Sequence, residues 1–301
     1  MNNPYRYHAF GLHIASDFFV ASMPPEEGEH EPDVRIVRAD LSGYGISFDQ
    51  CVIKKSEHRF GFERAGVFRV TGGSLIEADP LPGCTGQHLG VFLMGSCMGA
   101  ILHQRGFMPL HGSCVTDGVR SILITGDSGA GKSTLAAEFL RRGWKLLTDD
   151  VSAVYDVETA PMVRSSYPSQ KLWQDALDHY ERPDSDVHSL YFSENREKFG
   201  VDVRRFFLDG SAPLSMVVRL IPADAACSVS PIEGMAKVDQ LVRNTYRSYM
   251  IAPKDLQRHF QRCVTLSTKL PMALAVRENG KQCAGELYEH ITKYMEEHCH
   301  D

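Results

Sequence analysis

The sequence predicts an α/β protein, a mixed sheet flanked by helices with a β-rich lobe ahead of it. Three observations carry that expectation. A glycine-rich turn, Gly126 to Thr134, lies between an apolar β-branched run and a helix-forming run. Strand-like and helix-like stretches alternate after it. Residues 1–85 instead show short β-like pieces separated by Gly and Pro clusters, such as Met23-Pro24-Pro25 and Asp79-Pro80-Leu81-Pro82-Gly83. The expected division is a β-rich lobe over 1–85 and a catalytic-type domain over 86–301.

In the first part, Tyr5–Ile14, Val34–Ala39, Gly45–Phe48, Val67–Thr71 and Ser74–Glu77 read as strands, and Thr71-Gly72-Gly73-Ser74 as a hairpin turn. The acidic stretch Glu26–Asp33 reads as an exposed loop with no sharper role. Gln87–Arg105 reads as a helix ended by Gly106, followed by a strand over Pro109–Val115, a turn at Asp117-Gly118 and a strand over Val119–Thr125. An antiparallel pair feeding the glycine turn departs from the doubly wound parallel sheet. Thr134–Arg142 reads as a helix stopped by Gly143. Trp144–Thr148 and Val151–Val157 read as strands, Val163–Tyr180 as holding a helical patch ending near His179, and Glu181–Ser189 as a polar loop. Leu214–Ile221 and Met272–Val276 read as strands, and Ala236–Arg247, Pro253–Ser267 and Gly285–Glu297 as helices.

Bulk properties narrow the function classes. The 301 residues are 43% hydrophobic and 23% charged, ordinary for a folded chain. A net charge of −6 and a pI near 6.1 argue against a nucleic-acid partner. The longest apolar run, Leu89–Leu102, is about 14 residues, short of the ~20 that a membrane helix needs. The amino terminus MNNPYRYHAF has no apolar signal core, and the eight cysteines are scattered without a C-x-x-C pair. A cytoplasmic location with free thiols, no membrane and no nucleic acid is the expectation.

The glycine turn carries the chemistry. Gly126, Asp127, Ser128, Gly129, Ala130, Gly131, Lys132, Ser133 and Thr134 form a complete phosphate-binding loop, whose backbone N–H groups close around phosphate oxygens at a helix N-terminus. Lys132 is expected on the β- and γ-phosphates and the Ser133 hydroxyl on Mg²⁺, so ATP and Mg²⁺ are the expected ligands. One helix later, Asp149 and Asp150 stand together at a strand end, beside the phosphates. Adjacent strand residues point to opposite faces, so both acids reach the site only if the strand turns there. One acid is expected to order Mg²⁺, the other to accept a proton from an attacking hydroxyl. Sequence leaves the division open; the assignment adopted puts Asp149 as base and Asp150, with Ser133, beside the metal. His111, taken alone, reads as a structural histidine before a glycine, although its ordinary pKa suits it to tuning a carboxylate.

GDSGAGKST, followed by Arg142-Gly-Trp-Lys-Leu-Leu-Thr-Asp149-Asp150 and preceded by His111-Gly112, resembles the catalytic core of HPr kinase/phosphorylase. That family phosphorylates a serine on a small carrier protein. The resemblance spans Leu110 to Val151 and implies the kinase core shared with phosphoenolpyruvate carboxykinases, with His111 and Asp149 as catalytic neighbours. The downstream Gly- and Ile-rich signature with its Mg²⁺-binding glutamate has no match here. The Tyr5-Arg-Tyr-His-Ala-Phe-Gly-Leu opening, Tyr167-Pro168 to Lys171-Leu172-Trp173, and Arg196-Glu197-Lys198-Phe199 are similar to HPr-kinase-related enzymes of lasso-peptide clusters. In that light Lys198, Arg247, Lys171 and Arg243 are candidates to hold phosphate or a peptide carboxylate. The resemblance implies an ATP-dependent kinase acting on a serine of a peptide or small protein, in particular a lasso-peptide precursor, and a homo-oligomer. A small-molecule kinase or NTPase, and a nucleotide-gated peptide-binding module, are the alternatives.

Overall fold

The computed structural model describes residues 4–299 apart from 49, 55, 175–176, 178–186 and 194–195; for 187–193 and 196–198 it describes the backbone alone. The chain is α/β, with mixed sheets flanked by helices.

The amino-terminal sheet has strands β1 (Tyr5–Ala9), β2 (Leu12–Ser16), β3 (Val34–Arg38), β4 (Cys51–Lys54), β5 (Glu57–Phe62), β6 (Gly66–Thr71) and β7 (Leu75–Pro80), in the order β1-β2-β3-β7-β6-β5-β4. Period-two alternation buries Tyr7 and Ala9, Val34 and Ile36, Phe68 and Val70, and Ile76 and Ala78 on one face. The expected strand Tyr5–Ile14 is a hairpin, because Phe10 and Gly11 take positive φ (57° and 68°) and turn the chain. Gly45–Phe48 is not a strand. It contributes one bridge, Phe48 to Gly61, and the sheet edge belongs to β4. The polar run Glu57-His58-Arg59 hid the β4–β5 hairpin from the hydrophobic pattern.

Helix α1 (Gly86–Phe92), a π-turn (Leu93–Cys97) and helix α2 (Met98–Gln104) follow. The Thr85 hydroxyl caps the start, accepting the His88 N–H. Leu93, Met98, Ile101 and Leu102 are fully buried in a core that joins the amino-terminal sheet to Val151, Tyr167, Tyr246 and Met250. That core crosses residue 85, so lobe and remainder are packed together.

The central sheet contains β8 (Met108–Thr116), β9 (Ser121–Thr125), β10 (Lys145–Thr148), β11 (Val151–Tyr155), β12 (Met162–Arg164), β16 (Ser211–Ala223), β17 (Ser228–Pro231) and β18 (Met272–Glu278). Strand β9 is antiparallel to β8 and parallel to β16, which is parallel to β18. Helices α3 (Lys132–Arg141) and α6 (Ala284–His298) cover one face through Leu135, Phe139, Leu287 and Ile291. Helices α4 (Met235–Arg243) and α5 (Leu256–Lys269) cover the other through Val238, Leu241, Cys263 and Leu266.

Three further expectations change. Lys171 and Trp173 lie on a strand, β13 (Ser169–Trp173), in a small sheet with β15 (Arg196–Asp202) and β14 (Val187–Ser193). His179 and residues 181–186 fall outside the described residues, and Val187–Ser189 of the expected polar loop belong to β14. The helix expected over Ala236–Arg247 stops at Arg243, because the next residues bond to β8 instead: His111 N–H donates to Asn244 O (2.7 Å) and Tyr246 N–H to Pro109 O (2.9 Å).

Candidate functional site: a glycine cradle beside two aspartates

Strand β8 organises the site. Its upper part pairs with β10 and its lower part with β11, both antiparallel, while β9 runs along its other side. Thr148 pairs with Cys114 and Val151 with His111, so β10 and β11 are one strand line interrupted at Asp149-Asp150. Asp150 adopts φ 77°, a left-handed conformation that a non-glycine residue takes only at a cost. This kink answers the question of facing: both carboxylates bear on the same site.

Asp149 is 4% exposed and is filled with donors. Its Oδ1 accepts the Ser113 hydroxyl (2.6 Å) and the Ser133 hydroxyl (3.0 Å), and its Oδ2 accepts the Lys171 backbone N–H (2.7 Å). A carboxylate offers about four acceptor sites, so three donors leave little room for an incoming hydroxyl. Asp150 is the more open acid, its side chain 24% exposed, with Lys171 Nζ 2.7 Å from Oδ2 and His111 Nε2 3.8 Å from Oδ1. His111 and Ser113 alternate along β8 and so share a face, one meeting each aspartate. Gly112 between them must lack a side chain, since a Cβ there would lie 2.5 Å from Ile124 O.

The charge on Lys171 is secured by its neighbours. Burial, the largest single influence, works against the ammonium, while the charge and hydrogen bond of Asp150 act the other way, and its pKa is raised. Burial raises the Tyr167 phenol, and burial followed by the Asp150 charge pushes Tyr246 up to about 12, so both stay neutral hydroxyls. The Tyr246 ring lies 5.9 Å from that of His111 and rests on glycines of the buried helix. Cβ atoms would sit 3.1 Å from the Tyr246 hydroxyl at Gly95 and 2.8 Å from its ring at Gly99.

The glycine turn joins β9 to α3. Gly129 and Gly131 have φ 82° and 104°, and a Cβ on Gly126 would approach Leu220 O to 2.6 Å. Asp127, Ser128 and Gly129 form the exposed tip, Ala130 N–H turns back to Asp127 O, and Thr134 lies in the first turn of α3. Lys132 Nζ donates to Gly126 O (2.9 Å) and Asp127 O (3.1 Å), lying across the loop mouth. Such a cradle can receive phosphate oxygens, and the oxygen set of Ser133 and Asp149 suits a hard cation such as Mg²⁺.

Several residues of this site escaped the sequence reading. Arg219 on β16 clasps the loop, donating to Asp127 Oδ2 (2.9 Å) and Asn244 Oδ1 (2.9 Å). Arg277 Nε donates to Ala130 O (3.2 Å), and Gln170 Nε2 to Ser133 O (2.9 Å). Arg219 had a legible signal, a lone charge within the apolar run LSMVVRLI. Among the basic candidates, Lys171 enters the site. Arg247 lies behind Tyr246, its Nε donating to the Tyr246 hydroxyl (3.4 Å) and its Nη1 to Tyr249 (2.6 Å). Arg243 is not brought in, being paired with Asp239 on an exposed helix face. Lys198 pairs with Trp173 in the small sheet, and its side chain is outside the described residues.

Comparison with known proteins bears on this segment. Residues 107–175 match the family described as HPr Serine kinase C-terminal domain. The match covers less than a quarter of the chain, and over it the segment is similar to that family. The matched segment contains β8, the glycine turn, both aspartates and Lys171, whereas Arg219, Asn244 and Tyr246 lie beyond it. HPr kinase/phosphorylase of Lacticaseibacillus casei (strain BL23) is 31% identical over 121 residues, covering 36% of this chain and 37% of the relative. The Clostridium beijerinckii protein of the same name is 45% identical over 56 residues, covering 19% of this chain and 18% of its own length. The match therefore spans well under half of these curated relatives. The solved structure of the Hpr(Ser) kinase/phosphatase from Coxiella burnetii aligns at 13% identity with a TM-score of 0.34, covering 63% of this chain and 91% of that one. Among the described residues, no helix is long and apolar enough to cross a membrane.

Proposed function

We propose that this chain is an ATP-dependent kinase that transfers the γ-phosphoryl group to a serine hydroxyl of a peptide or small protein. The observation that carries the reading is the pair of neighbouring acids in unlike settings, one bonded to the loop serine and the other turned to a histidine and a lysine. Bound Mg²⁺ would supply charge neutralisation on the triphosphate, held from Ser133 and Asp149. Gly126 to Thr134 wrap the phosphates, and Lys132 swings from its loop carbonyls to them. Asp150 accepts the proton of the serine hydroxyl, with His111 orienting it. Lys171 sets a positive charge beside that carboxylate. These roles reverse the assignment adopted from sequence, because Asp149 is buried and already tied to the loop serine, whereas Asp150 is the more exposed acid.

A small cavity lined by Val20, Gly90, Tyr167 and Lys171 lies where the amino-terminal lobe meets the Lys171 strand. The division at residue 85 belongs to this reading, with the lobe presenting the acceptor to the catalytic domain. A lasso-peptide precursor is the narrower acceptor we favour, on the likeness of the Tyr5 to Leu12 opening and the Lys171 strand to that group of enzymes. The cytoplasm and a homo-oligomer complete the proposal.

The test is incubation of the purified protein with ATP, Mg²⁺ and candidate precursor peptides, followed by mass spectrometry. A gain of about 80 Da on a serine is expected, the mass of one phosphoryl group. Asp150→Asn should abolish transfer while nucleotide still binds, and Asp149→Asn should weaken the Mg²⁺ dependence of binding. Transfer at full rate by Asp150→Asn removes it as the base. Steady ATP hydrolysis with no peptide modified would return the chain to the plain NTPase reading.

A further inference from the structure

The loop Glu26–Asp33 has a role that its acidic composition concealed. Its turn folds back over the outer face of the β1–β2 hairpin and brings Glu26 and His30 to His13. One ligand atom from each of the three lies within 4.8 Å of the other two. His13 Nδ1 is 2.6 Å from Glu26 Oε1, and the His13 and His30 rings stack with centroids 4.3 Å apart and planes 16° off parallel. We propose that His13, Glu26 and His30 form a binding site for one transition-metal dication of the zinc class, which fastens this loop to the hairpin.

The backbone around each ligand is already pinned. His13 N–H donates to Asp33 Oδ2 (3.0 Å), Glu26 N–H donates to Arg6 O (2.8 Å), and Arg6 Nη1 donates to His30 O (2.8 Å). Glu26 and His30 thus reach the hairpin through their main-chain groups, one to the Arg6 carbonyl and one to the Arg6 guanidinium, which leaves the ligand side chains uncommitted to the backbone. Gly28 makes the return possible. It takes φ 95°, and a Cβ there would lie 3.2 Å from His30 Nε2. Only glycine lets the loop turn this tightly while keeping the imidazole over its partner.

The donor set selects the ion. Two imidazoles and one carboxylate suit Zn²⁺ and its neighbours at bonds of about 2.0–2.2 Å, whereas Mg²⁺ prefers oxygen ligands. The Glu26 side chain is 13% exposed and meets the His13 imidazole as its ion-pair partner. A dication between the three would replace that single contact with three bonds, one imidazole turning out of the stack to bring its lone pair to the ion. Three protein ligands leave the fourth position to water. The site lies on the amino-terminal lobe and shares no residue with the glycine cradle, so its failure and that of the kinase reading are separable.

The experiment uses the full chain without an affinity tag, stripped with chelator and free of nucleotide. Titration with Co²⁺, read by its visible absorption, should saturate at one equivalent with the intense bands of a tetrahedral N/O site. Zn²⁺ should displace it, and millimolar Mg²⁺ should not. His30→Ala, an exposed position that leaves the core untouched, should weaken binding by at least about 10-fold, since loss of even an outer partner of a metal ligand costs that much. Glu26→Gln and Gly28→Ala should weaken it likewise, and Zn²⁺ should raise the melting temperature of the parent but not of these variants. A second cluster, Cys227, Cys283 and Glu286, serves as the control. Absence of saturable binding overturns the proposal. So does binding that survives His30→Ala but is lost in Cys227→Ser.

Discussion

The ion pair between Lys171 and Asp150 should act as a measurable unit. Removing Lys171 as Lys171→Met leaves Asp150 without its 2.7 Å partner, in a setting where the two side chains are only 12% and 24% exposed. At that distance and an effective dielectric constant of about 20, the bare attraction is ~6 kcal/mol. Desolvation of both groups cancels much of it, and charge-assisted hydrogen bonds retain roughly 1.5–3 kcal/mol. A double-mutant cycle of Lys171→Met and Asp150→Asn should therefore return a coupling of about 2 kcal/mol. Urea denaturation at pH 7, followed by the fluorescence of Trp144 and Trp173, is the assay. The pH dependence has a definite sign. The folded pKa of Lys171 is raised, so its contribution is fully present below the unfolded value of about 10.4 and is lost only as pH climbs through the higher folded value. Coupling below ~0.5 kcal/mol, the range in which independent sites add, would refute the argument that this pair is shielded and tightly held.

Three further outcomes are expected. His103 Nε2–H donates to the Tyr246 backbone carbonyl (2.9 Å), and burial depresses its pKa to about 4, so stability should fall by up to about 3 kcal/mol as pH drops from ~6.5 toward 4. His103→Gln should flatten that slope in pH-dependent melts, and an unchanged slope would acquit His103. Arg219→Ala should weaken nucleotide binding about tenfold in isothermal titration, since it frees the loop tip at Asp127 from a charge-assisted bond worth ~1.5 kcal/mol or more; unaltered affinity would show the loop holds its own shape. Gly112→Ala should cost at least 1–3 kcal/mol by overpacking, because the new methyl meets the backbone carbonyl of Ile124 at 2.5 Å, and a melt within a degree of the parent would contradict that contact.

What could be read beforehand followed physical locality. The strand, glycine turn and helix from Ser121 to Arg141 are short-range features, and propensity with periodicity defined them. The antiparallel pair of β8 and β9 was legible because Asp117-Gly118 announces its turn. The proximity of Asp149 and Asp150 to the loop followed from their place at the end of β10. Their orientation did not, since it depends on one left-handed residue at 150 that no pattern of hydrophobicity encodes. Tyr246, Asn244 and Arg219 reach the site through long-range pairings, and Arg247 left its expected helix for the same reason. The metal-type cluster was illegible for a related cause: His13 lies thirteen residues before Glu26, which reaches it through a bond to Arg6, and the turn at Gly28 brings His30 back.

The two glycines beneath Tyr246 bind together parts of the chain that are far apart in sequence. A side chain at Gly99 would meet the phenol ring at 2.8 Å, so the ring that sits 5.9 Å from the His111 imidazole would have to shift. A chimaera that exchanges residues 1–104 with a relative would inherit a mismatched seat for this ring unless position 246 travelled with it. Evolution of a new acceptor surface on the lobe is thereby constrained from below: its outer strands are free to diversify, while the helix underneath is tied to the chemistry.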